Sequence, residues 1–182
     1  AISLGNHEFD FKPEGLARVL RAAVKKTNLP SLLLANVLFS REDPRDDGLE
    51  MAFRDGLVKP FTILDRQGIR IGIFGLMGKD AAEKAPFAAP VKFSDPLEAA
   101  RRMVRQLREK ERVDVVICLS HSSLREDRKL AAGVEGIDII VGGHSHTRLE
   151  KPLKVNNTLI VQTGAYGRYI GALDLLRDGK YF

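Results

Sequence analysis

Residues 113–121 read VDVVICLSH and residues 137–146 read IDIIVGGHSH, so two apolar runs of this chain lead directly to histidine. Short uninterrupted apolar runs are typical of strands that are buried on both faces of a sheet. We therefore predict strands at 113–119 and 137–141, each followed by a loop that carries histidine.

Helical patterns alternate with these strands. Asp95 and Ser123 each precede a predicted helix, with Glu98 and Glu126 three residues later in the position of a capping box. An earlier amphipathic helix begins near Pro13, and its apolar positions recur at helical spacing: Leu16, Val19, Leu20, Ala23 and Val24. Strands that alternate with helices indicate an α/β domain.

The rest of the chain divides into further strands and irregular segments. Strands are predicted at 2–4, 31–37, 59–65, 69–74, 158–162 and 169–176, with a hairpin turn at Gln67-Gly68. Pro44 and Gly48 interrupt residues 41–56, which are predicted to form a loop, and residues 81–90 are predicted to be irregular.

The composition fits one globular domain. The chain has 182 residues, of which 44% are hydrophobic and 29% are charged, and this is enough for a sizeable core. No apolar run approaches the ~18 residues that suggest a membrane span. The net charge of +5 suits an anionic substrate or nucleic acid. Cys118 is the single cysteine, which excludes an intrachain disulfide.

The four histidines are the main functional signal. His7, His121, His144 and His146 each follow a predicted strand. Ligand sites in α/β sheets form at the carboxyl ends of strands, so the four imidazoles are expected at one edge. A single histidine is more often an ordinary surface or core residue, but four at strand ends favour a metal site. Imidazole with oxygen ligands, such as the Asn6 amide, suits Zn, Mn, Fe, Co or Ni.

The acidic residues near these loops leave the predicted site incomplete. Two divalent ions need anionic ligands, and Glu8 and Asp10 are the nearest acids in the sequence. Asp10 lies three residues after His7 and suits a role in orienting that imidazole. Neither acid is an obvious bridge between two ions.

Three segments resemble signature motifs of the calcineurin-like metallophosphoesterases. They are GNHEFD at 5–10, the strand that ends in Ser120-His121, and GHSHT at 143–147. Together with VQTGAYGRYIGALDL at 161–175, they resemble the 5′-nucleotidase / UDP-sugar hydrolase / 2′,3′-cyclic phosphodiesterase branch. The resemblance covers essentially the whole chain. It implies an α/β fold in which helices flank a two-sheet β sandwich in four αββα layers.

The resemblance also implies a reaction, which is the hydrolysis of phosphate esters, most of all nucleotides, at a binuclear metal centre. Two divalent ions of unknown identity are implied as cofactors. Asn6, His121 and His144 would bind one ion, and His146 would bind the other. His7 would be the catalytic histidine outside the metal shell.

In the same family pattern Asp10 would complete a dyad with His7, and no catalytic role is expected for Asp127. Two family motifs, Asp-x-His and Gly-Asp-x-x-Asp, precede the GNHE motif, and neither occurs in residues 1–182. We therefore expect 1–182 to be a catalytic domain that is incomplete at its N-terminus and inactive by itself. We expect a separate C-terminal domain for nucleotide specificity and a periplasmic or cell-surface location.

Several alternatives stay open at this stage. The enzyme could act on a cyclic nucleotide or, like related thiosulfohydrolases, on a sulfur group, and the chain could also be a non-catalytic metal- or phosphate-binding fragment. The oligomeric state is open. Tyr166 and Tyr169 are either aromatic residues that face the substrate or residues that pack at the start of a strand. A basic stripe is interpreted as solvated surface, and no nucleic-acid partner is expected: Arg101, Arg105, Arg108 and Arg112.

Overall fold

The computed structural model describes residues 1–25, 29–177 and 180–181, and the side chains of residues 1–25 and 29–175. Its strands are β1 (Ile2–Ser3), β2 (Leu32–Leu33), β3 (Val37–Leu38), β4 (Val58–Lys59), β5 (Phe61–Arg66), β6 (Ile69–Met77), β7 (Lys92–Phe93), β8 (Val115–His121), β9 (Ile139–Gly142), β10 (Leu153–Val155), β11 (Thr158–Val161), β12 (Leu176–Arg177) and β13 (Lys180–Tyr181). Its α-helices are α1 (Lys12–Val24), α2 (Asp47–Arg54), α3 (Lys79–Glu83), α4 (Pro96–Arg105) and α5 (Leu124–Gly133). Shorter helical turns cover Asn6–Phe9, Pro44–Asp46 and Gln106–Lys110.

A six-stranded sheet organises the domain, in the order β10-β11-β9-β8-β6-β5. Its four central strands run parallel, and the edge strands β5 and β10 pair antiparallel to their neighbours. Because the central strands are parallel, the carboxyl ends of β6, β8 and β9 meet at one edge of the sheet. Met77 and His121 are register partners there.

A second, three-stranded sheet packs against the first. Its strands β1, β2 and β4 are parallel, with β2 in the middle. The two sheets approach closely at Gly75 of β6, where an added Cβ would lie 2.5 Å from the carbonyl oxygen of Leu33. Only glycine lets the two backbones come this close.

Helices cover the outer faces of both sheets. Leu16 and Leu20 of α1 and Leu49 of α2 belong to the apolar core on the small-sheet side. Ala99 and Ala100 of α4 belong to a second core with the large sheet, as do apolar residues of α5. The predicted α/β fold with a two-sheet sandwich between helical layers is confirmed. Among the residues that the structure describes, no helix is long and apolar enough to cross a membrane.

Both predicted helix caps are confirmed. The Asp95 carboxylate accepts hydrogen bonds from the backbone N–H groups of Leu97 and Glu98, and the Ser123 hydroxyl accepts from Glu126. The hairpin prediction is also confirmed, with β5 and β6 joined at Gln67-Gly68.

The loop predicted at 41–56 was wrong, because this segment forms a helical turn at Pro44–Asp46 and then α2. Pro44 is tolerated because it occupies the first helical turn, where no N–H partner is needed. Leu49 and Ala52 are fully buried. Their burial outweighs the modest helix-propensity cost of Gly48.

Three other predictions need correction. The strand predicted at 169–176 does not form over residues 169–175, where Ile170 is 99% exposed and no described strand pairs with the segment. In α1 the predicted apolar positions Val19 and Val24 are exposed, because the buried side of the helix instead includes Pro13, Gly15 and Ala17. Part of the segment predicted to be irregular at 81–90 belongs to α3.

Two arginines of the basic stripe bind backbone carbonyls of this domain. The Arg101 guanidinium donates to the carbonyl of Gly133, and Arg108 donates to the carbonyl of Gly136 and to the Asp138 carboxylate. These contacts hold the chain that leads into β9.

Candidate metal centre

Three metal-donor side chains from distant parts of the chain meet at the carboxyl end of the sheet. Asn6 lies in the helical turn after β1, His121 is the last residue of β8, and His144 follows β9. The Asn6 Oδ1 and His121 Nε2 atoms are 2.8 Å apart. The His121 and His144 rings have centroids 5.1 Å apart. The structure therefore brings together three of the four residues that the sequence predicted as metal ligands.

The orientation of the Asn6 amide is fixed by its surroundings. Asn6 is buried, and its Nδ2 donates a hydrogen bond of 3.2 Å to the carbonyl of Lys84. The amide oxygen is thereby directed at His121. Gly5 is required next to it, because an added Cβ would lie 2.6 Å from the His121 ring.

Two of the histidines are held in the neutral form that binds metal ions. Burial, together with the neighbouring His144 and His7, lowers the pKa of His121 to about 4. Burial also lowers the pKa of His144, although the Asp80 carboxylate opposes this shift. An imidazole must be unprotonated to donate a lone pair to a cation, so these shifts favour metal binding near neutral pH.

The loop after β9 separates its two histidines. His144 and His146 adopt positive φ angles of 55° and 54°, which non-glycine residues rarely do. The His144 ring faces His121, whereas the His146 ring contacts the Tyr166 ring at a centroid distance of 5.5 Å. Gln162 holds the loop by donating a 2.6 Å hydrogen bond to the carbonyl of Gly143. His146 therefore has no ring contact in common with the Asn6–His121–His144 group.

His7 and Asp10 form the contact that the sequence predicted. The His7 Nδ1 atom lies 2.9 Å from Asp10 Oδ2, and the His7 side chain is 79% exposed. His7 is near enough to His121 to influence the pKa of that ring. It points into solvent, however, where it is free to meet a ligand.

Sequence reasoning missed an acidic pair beside the histidines. Asp80 accepts a hydrogen bond from the Ser123 backbone, and Glu126 accepts one from the Lys79 backbone. Burial and a hydrogen bond with Asp80 raise the pKa of Glu126. Burial would raise the pKa of Asp80, but hydrogen bonds with Ser123 and Glu126 lower it overall. The strand was predicted to end at Phe74, whereas β6 continues to Met77 and delivers Asp80 to the same edge.

The Asp127 carboxylate binds the residues on both sides of His121. Its carboxylate is fully buried, and Oδ1 accepts hydrogen bonds of 2.6 Å from Ser120 and 2.8 Å from Ser122. Asp127 Oδ2 has no hydrogen-bond partner and lies against Gly142, where an added Cβ would come within 2.6 Å of it. One buried acid thus fixes the end of β8 and packs under the end of β9.

Replacing Asp127 with asparagine should change how stability depends on pH. Burial raises the pKa of Asp127 from 3.8 to about 6, so the folded state holds this proton more tightly than the unfolded state. Stability is therefore lost as pH rises from 3.8 to about 6, by about 3 kcal/mol at ~1.4 kcal/mol per pKa unit. Asparagine does not titrate, so the gap, defined as the unfolding free energy of the variant minus that of the parent, should rise by that amount as pH increases.

Urea unfolding of both proteins from about pH 3.5 to about pH 7.5 measures this gap. The depressed pKa of His121 acts in the opposite direction, because its contribution is lost as pH falls from 6.5 to about 4. It is common to both proteins and cancels in the difference. A gap that stays constant with pH would show that Asp127 does not carry a raised pKa.

The residues present fit one divalent cation better than two. Within the described ranges, no group of three or more His, Cys, Asp or Glu side chains is arranged to hold a metal ion. The convergent set is an amide oxygen with two imidazoles, which supplies three neutral donors for one ion. For a second ion, the predicted ligands of this chain reduce to His146.

Comparisons with known proteins place this geometry in context. The chain is 34% identical over 200 residues to the trifunctional nucleotide phosphoesterase protein YfkN of Bacillus subtilis, covering 99% of this chain and 14% of that protein. It is 36% identical over 196 residues to an apyrase of Tabanus yao, covering 96% of this chain and 32% of the apyrase. The crystal structure of a 5′-nucleotidase precursor from Thermus thermophilus superposes with a TM-score of 0.70 at 36% identity, covering 88% of this chain and 32% of that one. No protein-family model matches the chain.

The fold and these relatives define a class of hydrolases that act on phosphate esters. The curated relatives include 5′-nucleotidases, in agreement with the resemblance of the sequence motifs to the 5′-nucleotidase branch of the calcineurin-like phosphoesterases. It spans about a third or less of the length of these three proteins, which are larger than this domain.

Proposed function

We propose that this chain contributes to the active site of a metal-dependent phosphoesterase that hydrolyses nucleotides. Asn6, His121 and His144 bind one divalent cation, and His146 contributes a single ligand to a second, which these residues alone do not hold. The observation that carries the proposal is the 2.8 Å approach of Asn6 Oδ1 to His121 Nε2, with the His144 ring alongside. The names of the relatives support nucleotides as the substrate class.

Divalent cations at such a site polarise a phosphoryl oxygen and provide a nucleophile at neutral pH. The residues of this chain position the metal ligands and orient the His7 ring. The rigid β8 and β9 ends keep His121 and His144 in place, and burial keeps both rings unprotonated. Asp10 accepts from His7 Nδ1, so the His7 ring is held with Nε2 free. When the ring is the imidazolium, Nε2 also carries a proton and can donate it to a phosphoryl or leaving-group oxygen as charge develops there.

Replacing His7 with alanine should lower kcat by about 10²–10⁴-fold, the usual contribution of a positioned acid or base. Asp10→Asn should have a smaller effect, because the imidazole loses its orienting acceptor but stays in place. Metal content should be unchanged in both variants, because His7 lies outside the Asn6–His121–His144 group. A His7→Ala protein that loses metal along with activity would show instead that His7 is a ligand.

The proposed substrate class is tested by phosphate release from adenosine 5′-monophosphate, catalysed by the full gene product with Mn²⁺. Parallel assays with a 2′,3′-cyclic nucleotide and with thiosulfate esters test the two alternative substrates. We expect turnover of the 5′-nucleotide, and we expect chelation of the metal to abolish that turnover. Failure to hydrolyse any phosphate ester in the metal-loaded state would refute the proposal. The periplasmic or surface location and the separate specificity domain stay predictions, and cell fractionation and the gene sequence test them.

A further inference from the structure

His144 is the central residue of a tight three-residue turn. The backbone N–H of Ser145 donates a hydrogen bond to the carbonyl of Gly143, and His144 between them has a φ angle of 55°. Turns that close between residues i and i+2 at a positive φ angle are rare and strained. A strained residue persists only where the surrounding structure holds it in place. The contacts around residues 143–145 therefore decide where the His144 ring lies.

The Gln162 side chain binds both ends of this turn. Gln162 directly follows β11 and is buried. Its Nε2 atom donates a 2.6 Å hydrogen bond to the carbonyl of Gly143, and its Oε1 atom accepts a 3.1 Å hydrogen bond from the Ser145 hydroxyl. The amide orientation follows from this pairing, because a carbonyl oxygen can only accept and so requires the NH₂ group. One side chain thus contacts the residues on either side of His144.

The strand that leads into the turn has no room to shift. Gly142 is the last residue of β9, and an added Cβ there would lie 2.6 Å from Asp127 Oδ2 and 2.8 Å from Gln162 Nε2. Both of these polar side chains are buried, and they come from α5 and from the end of β11. The turn is therefore held at its start by packing and at both ends by the Gln162 amide.

Thr158 provides a matched comparison at the other end of the same strand. It is the first residue of β11 and is buried, and its hydroxyl donates a 2.7 Å hydrogen bond to the carbonyl of Ile137. This bond stabilises the chain before β9, whereas the Gln162 bonds stabilise the turn after it. Loss of either side chain's polar group removes buried hydrogen bonding from β11, but only one of the two contacts the His144 turn.

We propose that Gln162 is a positioning residue for the metal centre. By holding Gly143 and Ser145, it keeps the His144 ring facing the His121 ring, at a centroid distance of 5.1 Å. This inference rests on the proposed function, because it assumes that His144 binds the cation. Gln162 acts through His144 and needs no contact with the ion. Without the amide, relief of the positive φ angle would turn the ring away from His121.

Competition titration with a chromogenic chelator tests the role through the affinity of the chain for Mn²⁺. Gln162→Met keeps a side chain of similar length but removes both polar ends. It should weaken Mn²⁺ binding by about 10–100-fold, the usual effect of losing a group that orients a metal ligand. Thr158→Val is the control. It should lower the melting temperature of the metal-free chain and leave the affinity for Mn²⁺ unchanged.

The same substitution in a His144→Ala background separates positioning from general support of the fold. The double variant should bind Mn²⁺ no more weakly than His144→Ala, because Gln162 then has no ligand to orient. A further loss by the same factor would overturn the positioning role. Ser145→Ala removes one of the two contacts without altering the buried amide, so it tests the proposal even if Gln162→Met does not fold. It should weaken Mn²⁺ binding by a smaller factor, and an unchanged affinity would contradict the role of the Ser145 contact.

The outcomes for the parent separate this proposal from the proposed function. If the parent binds Mn²⁺ and Gln162→Met binds it equally well, the positioning role is overturned and the metal centre stands. The same conclusion follows if Thr158→Val weakens Mn²⁺ binding as much as Gln162→Met does. If the parent does not bind Mn²⁺, the proposed centre and the positioning role are overturned together.

Discussion

Replacing His121 with alanine should reduce the affinity of the chain for Mn²⁺ by roughly 100-fold or more. The residues that merely orient a metal ligand already contribute about 10–100-fold, so loss of a ligand costs at least as much. His121 contacts both of the other predicted donors, Asn6 through Nε2 and His144 through its ring. Its removal therefore takes away the one donor that contacts both of the others. Competition titration with a chromogenic chelator measures the affinity.

His7→Ala is the matched control for this variant, because it removes another histidine from the same edge of the sheet. His7 is exposed and is bonded to Asp10 rather than to the donor group. The affinity of the His7→Ala protein for Mn²⁺ should equal that of the parent. If the two variants bind Mn²⁺ equally well, the convergence of Asn6, His121 and His144 is not a metal site.

Replacing Gly75 with alanine should destabilise the domain by about 3 kcal/mol, near the upper end of the usual cost of overpacking a core. The new Cβ would lie 2.5 Å from the carbonyl oxygen and 2.7 Å from the carbonyl carbon of Leu33. That backbone cannot easily move, because Leu33 is paired on both sides within β2. A hydrogen bond of 2.8 Å from Ala35 to the Gly75 carbonyl ties the two sheets together at the same point.

Gly48→Ala is the control for this substitution. Gly48 lies in α2, and an added Cβ would meet only the Ala17 Cβ, at an ordinary distance of 3.8 Å. The higher helix propensity of alanine should stabilise the domain by about 0.5–1 kcal/mol. Urea unfolding of the metal-free proteins compares the two variants. A Gly75→Ala protein as stable as the parent would show that the sheets do not approach as described.

The sequence predicted strands and helices best where the pattern was local. The apolar runs at 113–119 and 137–141 and the caps at Asp95 and Ser123 needed no knowledge of distant residues. The helix at Asp47–Arg54 was missed because Pro44 and Gly48 resemble breakers, and only the burial of Leu49 reveals why a helix forms. The segment at 169–175 alternates like a strand, but a strand requires a partner, which the pattern does not supply.

The candidate site could be predicted in composition but only partly in geometry. Asn6 and His121 are 115 positions apart, and their meeting follows from the shared edge of strand ends. The divergence of His144 and His146 depends on two positive φ angles, which nothing in the sequence signals. Asp80 was missed because the end of β6 was placed three residues too early.

Elemental analysis of the 182-residue chain, after exchange against Mn²⁺ and Zn²⁺ and removal of free metal, tests the central claim most directly. The geometry predicts one divalent ion per chain, held by Asn6, His121 and His144. A chain that retains no metal from either exchange would contradict the proposed centre. Two tightly held ions would contradict the residue roles, because an acid such as Asp80 would then have to serve as a bridging ligand.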